Sequence, residues 1–166
     1  MFRKAVVLLC GVLLSTACLA SESPVVIGSE APDYLGKTYE GDAFLASAYR
    51  GKVVVATFWA SWCGPCQREL PLLEGIQKFF GEDKVKVVAI SIENKNKFRQ
   101  IGKAAQSLAL KFVHDADRKV YERYGVNGVP HLVVIGKDGK IKLKYVGYSE
   151  SEVEQVVAKI RQAIEE

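Results

Sequence analysis

Phe58-Trp59-Ala60-Ser61-Trp62-Cys63-Gly64-Pro65-Cys66 is the most informative segment of this chain, because it places two cysteines with two residues between them. The apolar run Val53–Phe58 precedes it and predicts a buried strand. The stretch Gln67–Leu70 follows, and a helical pattern begins there. Both cysteines are therefore expected on the first turn of a helix that starts where a strand ends.

This placement predicts a reactive dithiol. Unpaired backbone N–H groups and the positive end of a helix dipole favour a thiolate, so the pKa of Cys63 is expected to fall below the free-cysteine value of about 8.5. Gly64 lets the chain turn tightly, and Pro65 lacks an N–H where that donor would be unpaired anyway. Cys66, one turn on, can attack a mixed disulfide formed at Cys63. We expect Cys63 to be the nucleophile, Cys66 the resolving cysteine, and their disulfide the only redox group.

The first twenty residues differ from the rest of the 166-residue chain. Arg3 and Lys4 precede the apolar run Ala5–Leu14 and then small residues, which is typical of a secretory signal. A membrane span is the alternative, but Ala5–Ala20 is only 16 residues, short of the ~18 to 20 needed to cross a bilayer. We expect residues 1–20 to be a signal peptide and residues 21–166 to form one domain.

The cleavage site has two interpretations. Ala20 is a small residue that suits cleavage for soluble export. The stretch Leu14-Ser15-Thr16-Ala17-Cys18 resembles a relaxed bacterial lipobox, with Leu one position earlier than usual. Cleavage before Cys18 would leave a lipid anchor on that residue. Export as a soluble protein and export with a lipid anchor at Cys18 both remain open.

The net charge of the chain does not predict a polyanionic partner. The formal net charge is +4, and loss of Arg3 and Lys4 with the signal lowers it to +2. The lysines are spread along the sequence rather than clustered, so nucleic-acid binding has little support.

The number of cysteines indicates a reactive pair rather than a structural disulfide. Cys10 and Cys18 lie in the signal, so the domain keeps only Cys63 and Cys66, and a two-residue loop constrains the unfolded chain very little. Zinc would need two further ligands, and His114 and His131 lie 17 positions apart, unlike the tight spacing of a zinc finger. No metal site is expected.

The remaining elements alternate between strands and helices. The patterns predict a hairpin around Tyr39 to Asp42, a strand at Val85–Ser91 and a helix at Lys95–Ala109. A short strand at Phe112-Val113 and a short helix at Arg118–Tyr124 are expected next. Strands at His131–Ile135 and Ile141–Tyr145 are expected to form a hairpin, and a final helix begins at Ser149. Ser149 and Glu152 are expected to form a capping box, and His114 is expected in a loop.

Taken together, these motifs resemble the thioredoxin superfamily and, within it, the exported TlpA/ResA-like thiol-disulfide oxidoreductases of the CcmG/DsbE type. The resemblance runs from about residue 25 to the end and is carried by Phe58–Ala60, Trp62–Cys66, Glu69, Pro71, Gly128-Val129-Pro130 and Lys137–Ile141. It implies an α/β thioredoxin fold, with a central mixed β-sheet flanked by helices, an N-terminal extension and an inserted helix.

The resemblance also implies a substrate-binding surface. Pro130 should follow a cis peptide bond and pack beside the sulfurs, leaving the Val129 backbone free to pair with an extended substrate peptide. Trp62 is expected to be exposed and to dock partners together with Gly64 and Pro65, whereas the other tryptophan of the motif, at position 59, is expected in the core.

Proton handling has two candidates besides the cysteines. Thioredoxin carries a buried Asp where this chain has Thr57, and a hydroxyl cannot take that role. Glu69 matches the acidic residue of the TlpA/ResA-like branch and is the candidate to accept the proton of Cys66. His131 is either an ordinary strand residue or, if it points to Cys63, a group that would make activity sensitive near pH ~6.5.

The sequence thus predicts an exported enzyme that reduces disulfides of extracytoplasmic proteins, such as apocytochrome c during cytochrome c maturation, in the bacterial periplasm or anchored to the membrane. A membrane electron donor of the thiol-reductase type would recharge it. The Gly-Pro dipeptide is that of thioredoxin, whose potential near −270 mV is reducing.

Two alternatives carry other chemistry. One is a copper chaperone that binds Cu(I) through Cys63, Cys66 and His131. The other is a peroxiredoxin-like peroxidase, although the chain lacks the Pro-x-x-x-Thr-x-x-Cys setting of a peroxidatic cysteine.

Overall fold

A computed structural model describes residues 24–105 and 107–166, so the predicted signal and Cys18 lie outside the described residues. The strands are β1 (Tyr34–Lys37), β2 (Ala43–Leu45), β3 (Val53–Trp59), β4 (Val85–Ser91), β5 (Lys111–His114), β6 (His131–Ile135) and β7 (Ile141–Val146). The helices are α1 (Gly64–Phe80), α2 (Lys95–Ala105), α3 (Lys119–Arg123) and α4 (Val153–Glu165), with 3-10 turns at Ala46–Tyr49 and Glu150–Glu152.

These strands form one mixed sheet in the order β2-β1-β5-β4-β3-β6-β7. The central strand β3 pairs in parallel with β4 and antiparallel with β6, and β4 pairs in parallel with β5. Helices α1 and α2 make the crossovers between the parallel strands, as parallel pairs require. Antiparallel hairpins β1-β2 and β6-β7 complete the two edges.

The two faces of the sheet bury different clusters. Val54, Ala56 and Phe58 of β3 pack in the cluster that contains Val120 and Tyr124 of α3 and the segment just after it. Alternate residues of the same strand face the other way, because successive strand side chains point to opposite faces. That second face packs against α1 and α4 and, at the carboxyl end of β3, against α2. The cysteine pair belongs to this second face.

Helix α2 is shorter than predicted, since the described helix ends at Ala105 rather than Ala109. The Ala109 N–H donates to Glu74 Oε1 at 2.7 Å, and its carbonyl accepts from Gln77 Nε2 at 2.8 Å. The Glu74 side chain thus takes the N–H that a helix reaching Ala109 would have bonded within itself, and Gln77 satisfies a carbonyl that such a helix would have left unpaired at its end.

The predicted capping box at Ser149 is wrong. Ser149 precedes the 3-10 turn without a side-chain capping bond, and its hydroxyl pairs with Ser151 at 2.7 Å instead. The Glu152 carboxylate accepts a hydrogen bond from the Tyr145 hydroxyl, so it is turned towards β7 and not back to the start of the turn. The hydrogen bond to Tyr145 of β7 thus replaces the local capping bond.

The prediction of a loop position for His114 is also wrong. His114 ends β5 and is buried, with its ring stacked on that of Phe98 at 4.9 Å. Its Nε2 lies 2.6 Å from the Glu93 carbonyl oxygen. Phe112-Val113 carried too short an apolar signal to show that the strand extends to this residue.

In the part of the chain that the structure describes, no helix is both long enough and apolar enough to cross a membrane.

Candidate active site

The two cysteines are joined at the start of α1. The sulfur atoms of Cys63 and Cys66 lie 2.05 Å apart in a disulfide, with Cα atoms separated by 5.3 Å. Cys63 is the N-cap of the helix, and the Cys66 N–H points at the Cys63 sulfur at 3.2 Å. Cys63 keeps 4% of its surface exposed and Cys66 none. An incoming sulfur can therefore reach Cys63 first, and a helix N-terminus faces the charge that a thiolate would carry there.

The loop before the cysteines is held by side chains of neighbouring elements. The Ser61 N–H and hydroxyl both donate to the Glu93 carboxylate, each at 2.9 Å. The Ser61 carbonyl accepts from Gln67 Nε2 at 2.6 Å. These bonds fix the segment that carries Trp62 and Cys63.

Glu93 was not singled out from the sequence, although a signal for it exists. Ser91 of β4 pairs with Trp59 of β3 in a parallel register. Because parallel strands end at the same edge of a sheet, a polar residue just after β4 is bound to lie near the residues just after β3. That rule would have brought Glu93 close to Ser61.

Glu69 is a buried acid one helical turn beyond Cys66. Its side chain is on α1, the residue is 3% exposed, and Oε2 accepts a 2.6 Å hydrogen bond from the Thr57 hydroxyl on β3. Burial raises the pKa of Glu69 to about 7, and the bond from Thr57 opposes that rise. Such a carboxyl exchanges a proton near neutral pH, as a general acid or base must. Thr57 is therefore the hydrogen-bond partner of Glu69.

Pro130 follows a cis peptide bond, as the resemblance implied. Strand β6 begins at the next residue, and the antiparallel pairing of His131 with Phe58 puts Pro130 level with Trp59, the last residue of β3, at the end of the strand that leads to the cysteines. Val129 is half-buried and packs against the cluster that contains Cys63 and Cys66. The Pro130 carbonyl is occupied, because it accepts from the Gly147 N–H at 2.8 Å.

The surface around Cys63 is open and partly apolar. Trp62 is 70% exposed, whereas Trp59 is 4% exposed and packs edge-on against Phe112, so both tryptophans lie as predicted. Gly64 and Pro65 are exposed on the first turn of α1, and a Cβ atom built on Gly64 would meet no other atom within 4 Å. A partner chain has room to approach here.

His131 is a strand residue and not a tuning group. It is 3% exposed and packs edge-on against Phe58, on the face of the sheet opposite to Glu69. Burial, and secondarily the charge of Lys144, lowers the pKa of His131 to about 4, so the ring is neutral at physiological pH. It cannot join the two cysteines as a copper ligand from that position. Among residues 24–105 and 107–166, no group of three or more His, Cys, Asp or Glu side chains is placed to hold a metal ion.

A sheet of this topology, with a cysteine pair on the first turn of its central helix and a cis-proline across from it, defines a thioredoxin-type thiol-disulfide oxidoreductase. Residues 27–144 match the AhpC/TSA family, and the chain belongs to that family.

The relatives agree with this class. The chain is 32% identical over 123 residues to thiol-disulfide oxidoreductase ResA of Geobacillus thermodenitrificans, covering 73% of this chain and 70% of the relative. It is 34% identical over 131 residues to thioredoxin-like protein YneN of Bacillus subtilis, covering 77% and 76%. These relatives confirm the predicted resemblance and the enzyme class.

Solved structures agree with the fold. A thiol:disulfide interchange protein DsbE from Chlorobium tepidum superposes with a TM-score of 0.76 at 28% identity, covering 84% of this chain and 99% of that one. The exposed lipoprotein thioredoxin Etrx1 of Streptococcus pneumoniae superposes with a TM-score of 0.63 at 28% identity, covering 77% and 99%. The predicted thioredoxin fold is confirmed.

Proposed function

We propose that this oxidoreductase is an exported reductant of protein disulfides, with Cys63 as nucleophile, Cys66 as resolving cysteine and Glu69 as the proton acceptor for Cys66. The observation that carries the proposal is the asymmetry of the pair. Cys63 caps the helix and retains exposed surface, whereas Cys66 is fully buried one turn before a buried acid.

Reduction of a substrate disulfide takes two exchange steps. The Cys63 thiolate attacks one sulfur of the substrate disulfide, and the other substrate sulfur leaves as a thiolate that takes a proton from water. The Cys66 thiol then passes its proton to the Glu69 carboxylate. The resulting Cys66 thiolate attacks the Cys63 sulfur, forms the internal disulfide and releases the second substrate sulfur as a thiolate, which also takes a proton from water. A membrane dithiol donor then reduces the internal disulfide by two electrons. One of the donor's two protons stays on the Cys66 thiol, and the other goes to solvent because Cys63 is restored as a thiolate.

Several observations support the rest of the proposal. Residues 1–20 have the pattern of a secretory signal, and Etrx1, a structural relative, is described as an exposed lipoprotein. The proposed substrates are disulfides of extracytoplasmic proteins, which bind across Trp62, Gly64, Pro65 and the backbone before Pro130. Apocytochrome c is the member of that class to test first, as a step of cytochrome c maturation.

Trapping tests the cysteine roles. Cys66→Ser should accumulate mixed disulfides with partner proteins through Cys63, whereas Cys63→Ser should trap few. Equal trapping by both variants would refute the assigned roles. Equilibration of the wild type with glutathione buffers gives its potential, and a value well above that of glutathione would argue against a reductant.

Export and lipidation are read from the mass of the protein recovered from cells. Cleavage after Ala20 without an adduct means soluble export, and a diacylglyceryl adduct on Cys18 means a lipid anchor. Recovery of the intact chain, with Met1 to Ala20 still attached, from the cytoplasm would contradict export.

A further inference from the structure

Beside Glu69 lies a small cavity that the exchange steps do not use. Its volume is about 20 Å³, and it lies between α1, β6, β7, the 3-10 turn and the start of α4. Most of its wall is apolar. The polar side chains of the wall are those of Glu69, Tyr145, Tyr148, Ser149 and Glu152.

The cavity has the size and polarity for one water molecule. A site for water needs about 10 to 15 Å³ and two to four polar partners. Glu69 of α1, Tyr145 of β7 and Glu152 of the 3-10 turn all line the cavity and supply polar partners. Tyr148 and Ser149 add two hydroxyls to these groups, and the rest of the wall is apolar.

Tyr145 and Glu152, which line the cavity together with Glu69, form a hydrogen-bonded pair that also faces outwards. The Tyr145 hydroxyl donates to the Glu152 carboxylate. Both residues, together with Val156, also line a groove of about 380 Å³ between β7 and α4. The pair therefore borders both the inner cavity and the outer groove, whose wall also carries Lys159.

The charged and titratable groups around Glu69 come from each packed element. Cys66 and Arg68 lie on its own helix, Thr57 on β3, Tyr145 on β7, and Tyr148 and Glu152 after β7. The Arg68 guanidinium lies 5.9 Å from the centre of the ring of Tyr148, which lines the cavity. The hydrogen bond to Glu152, then burial, and then the negative charges of Glu152 and Glu69 raise the pKa of Tyr145 to about 12.

We propose that Glu69 exchanges its proton with solvent through this cavity, with the Tyr145–Glu152 pair as the relay between the buried acid and the outer groove. This inference rests on the proposed role of Glu69 as proton acceptor. As Cys66 gives its proton to Glu69, Glu69 gives one to the cavity water, the water gives one to the Tyr145 oxygen, and the Tyr145 hydroxyl proton moves to the Glu152 carboxylate, which releases it to bulk solvent. The relay therefore acts within the resolving step. Glu69 is returned to its charged form, and no electrons move in these steps.

The relay predicts kinetic effects at three positions. General acid–base groups contribute about 10²-fold or more, so Glu69→Gln should slow the resolving step at pH 7 by about that factor, and Tyr145→Phe and Glu152→Gln by about tenfold each. The measurement is a single turnover of reduced protein with a fluorescent peptide disulfide, followed from pH 5.5 to 8.5. The reduction potential of Tyr145→Phe should equal that of the wild type, because a relay changes a rate and not an equilibrium.

A double-mutant cycle separates a relay from a structural effect. In the Glu69→Gln background, Tyr145→Phe should have no further effect on the resolving step, whereas a loss of packing would slow it again. Tyr148→Phe is the matched control, since it removes a hydroxyl of the same wall that is not bonded to Glu152. An equal loss in that control would overturn the assignment to Tyr145.

Failure of the proposed role of Glu69 and failure of the relay would give different results. If Glu69→Gln leaves the resolving step unchanged, the proposed role of Glu69 is wrong, and the relay falls with it. If Glu69→Gln slows the step but Tyr145→Phe and Glu152→Gln do not, Glu69 keeps its role and the relay alone is refuted.

Discussion

The hydroxyl of Thr57 donates a 2.6 Å hydrogen bond to the carboxylate of Glu69 and so ties the central strand to the active-site helix at a buried point. A hydroxyl and a carboxyl together occupy the layer under the cysteines. Because the bond favours the charged form of the acid, it holds the pKa of Glu69 near neutrality against the larger effect of burial.

Thr57→Val should raise the pKa of Glu69 further above about 7, because burial would act without the opposing bond. A hydrogen bond to a charged group is worth about 1.5 to 3 kcal/mol, which corresponds to a rise of on the order of one pH unit or more. Titration of the Glu69 side chain by carbon NMR in the oxidised protein measures it. Thr38→Val, at the other buried threonine of the described chain, is the control and should leave that titration unmoved. A lower pKa in Thr57→Val would contradict the account.

Glu69→Gln should change how stability depends on pH. The folded-state pKa of about 7 lies above the ordinary value of 4.5, so the folded protein binds more protons than the unfolded chain between these values. Stability of the wild type therefore falls as pH rises through this window, by on the order of 3 kcal/mol in total. The variant lacks this dependence.

Urea unfolding of both oxidised proteins at pH 5 and pH 8 checks this prediction. The stability of Glu69→Gln relative to wild type should be higher at pH 8 than at pH 5. Glu154→Gln, an exposed site on α4, should show no such change. Parallel curves for wild type and Glu69→Gln would mean that the buried acid does not titrate in this range.

His131→Leu should leave the pH profile of disulfide exchange unchanged between pH 6 and 8. The ring faces away from the cysteines, and its pKa of about 4 keeps it neutral in that range. A folded-state pKa below the ordinary 6.5 also means that the wild type loses stability as pH falls from about 6.5 towards 4, and the variant should escape this loss. Proton NMR of the imidazole ring gives the direct check. A ring that titrates near pH ~6.5 would refute the assignment.

Trp62→Ala should weaken the use of protein substrates without weakening the fold. Its side chain is 70% exposed, and truncation of exposed side chains changes stability by about 0.5 kcal/mol or less. Tryptophans at binding surfaces often contribute about 2 kcal/mol or more, so the KM for a protein disulfide should rise at least about tenfold. The rate with a small disulfide should stay within about twofold of wild type.

Phe79→Ala is the matched control for that experiment. Phe79 is 73% exposed but lies near the other end of α1, away from the cysteines. It should change neither KM nor stability by much. Equal effects of the two substitutions would mean that Trp62 has no special part in docking.

Much of the architecture was predictable because its signals are local. The apolar runs predicted β3 and β4, the Cys-Gly-Pro-Cys stretch predicted the start of α1, and Gly136–Gly139 predicted the β6-β7 hairpin. Errors arose where a distant partner outweighed the local pattern. The Tyr145 hydroxyl engages Glu152 and prevents the capping box, and α1 side chains bind Ala109 where a longer helix was expected.

The redox chemistry of this protein is encoded locally, because two thiols at this spacing and a helix that starts between them follow from adjacent residues. The same short segment also puts Glu69 one turn beyond Cys66. The groups that surround them come from the tertiary fold: Thr57 beside Glu69, Glu93 on the loop before Cys63, and His131 turned to the opposite face with Phe58. These contacts join residues far apart in the chain, and their existence depends on strand register and helix packing, which no local pattern encodes.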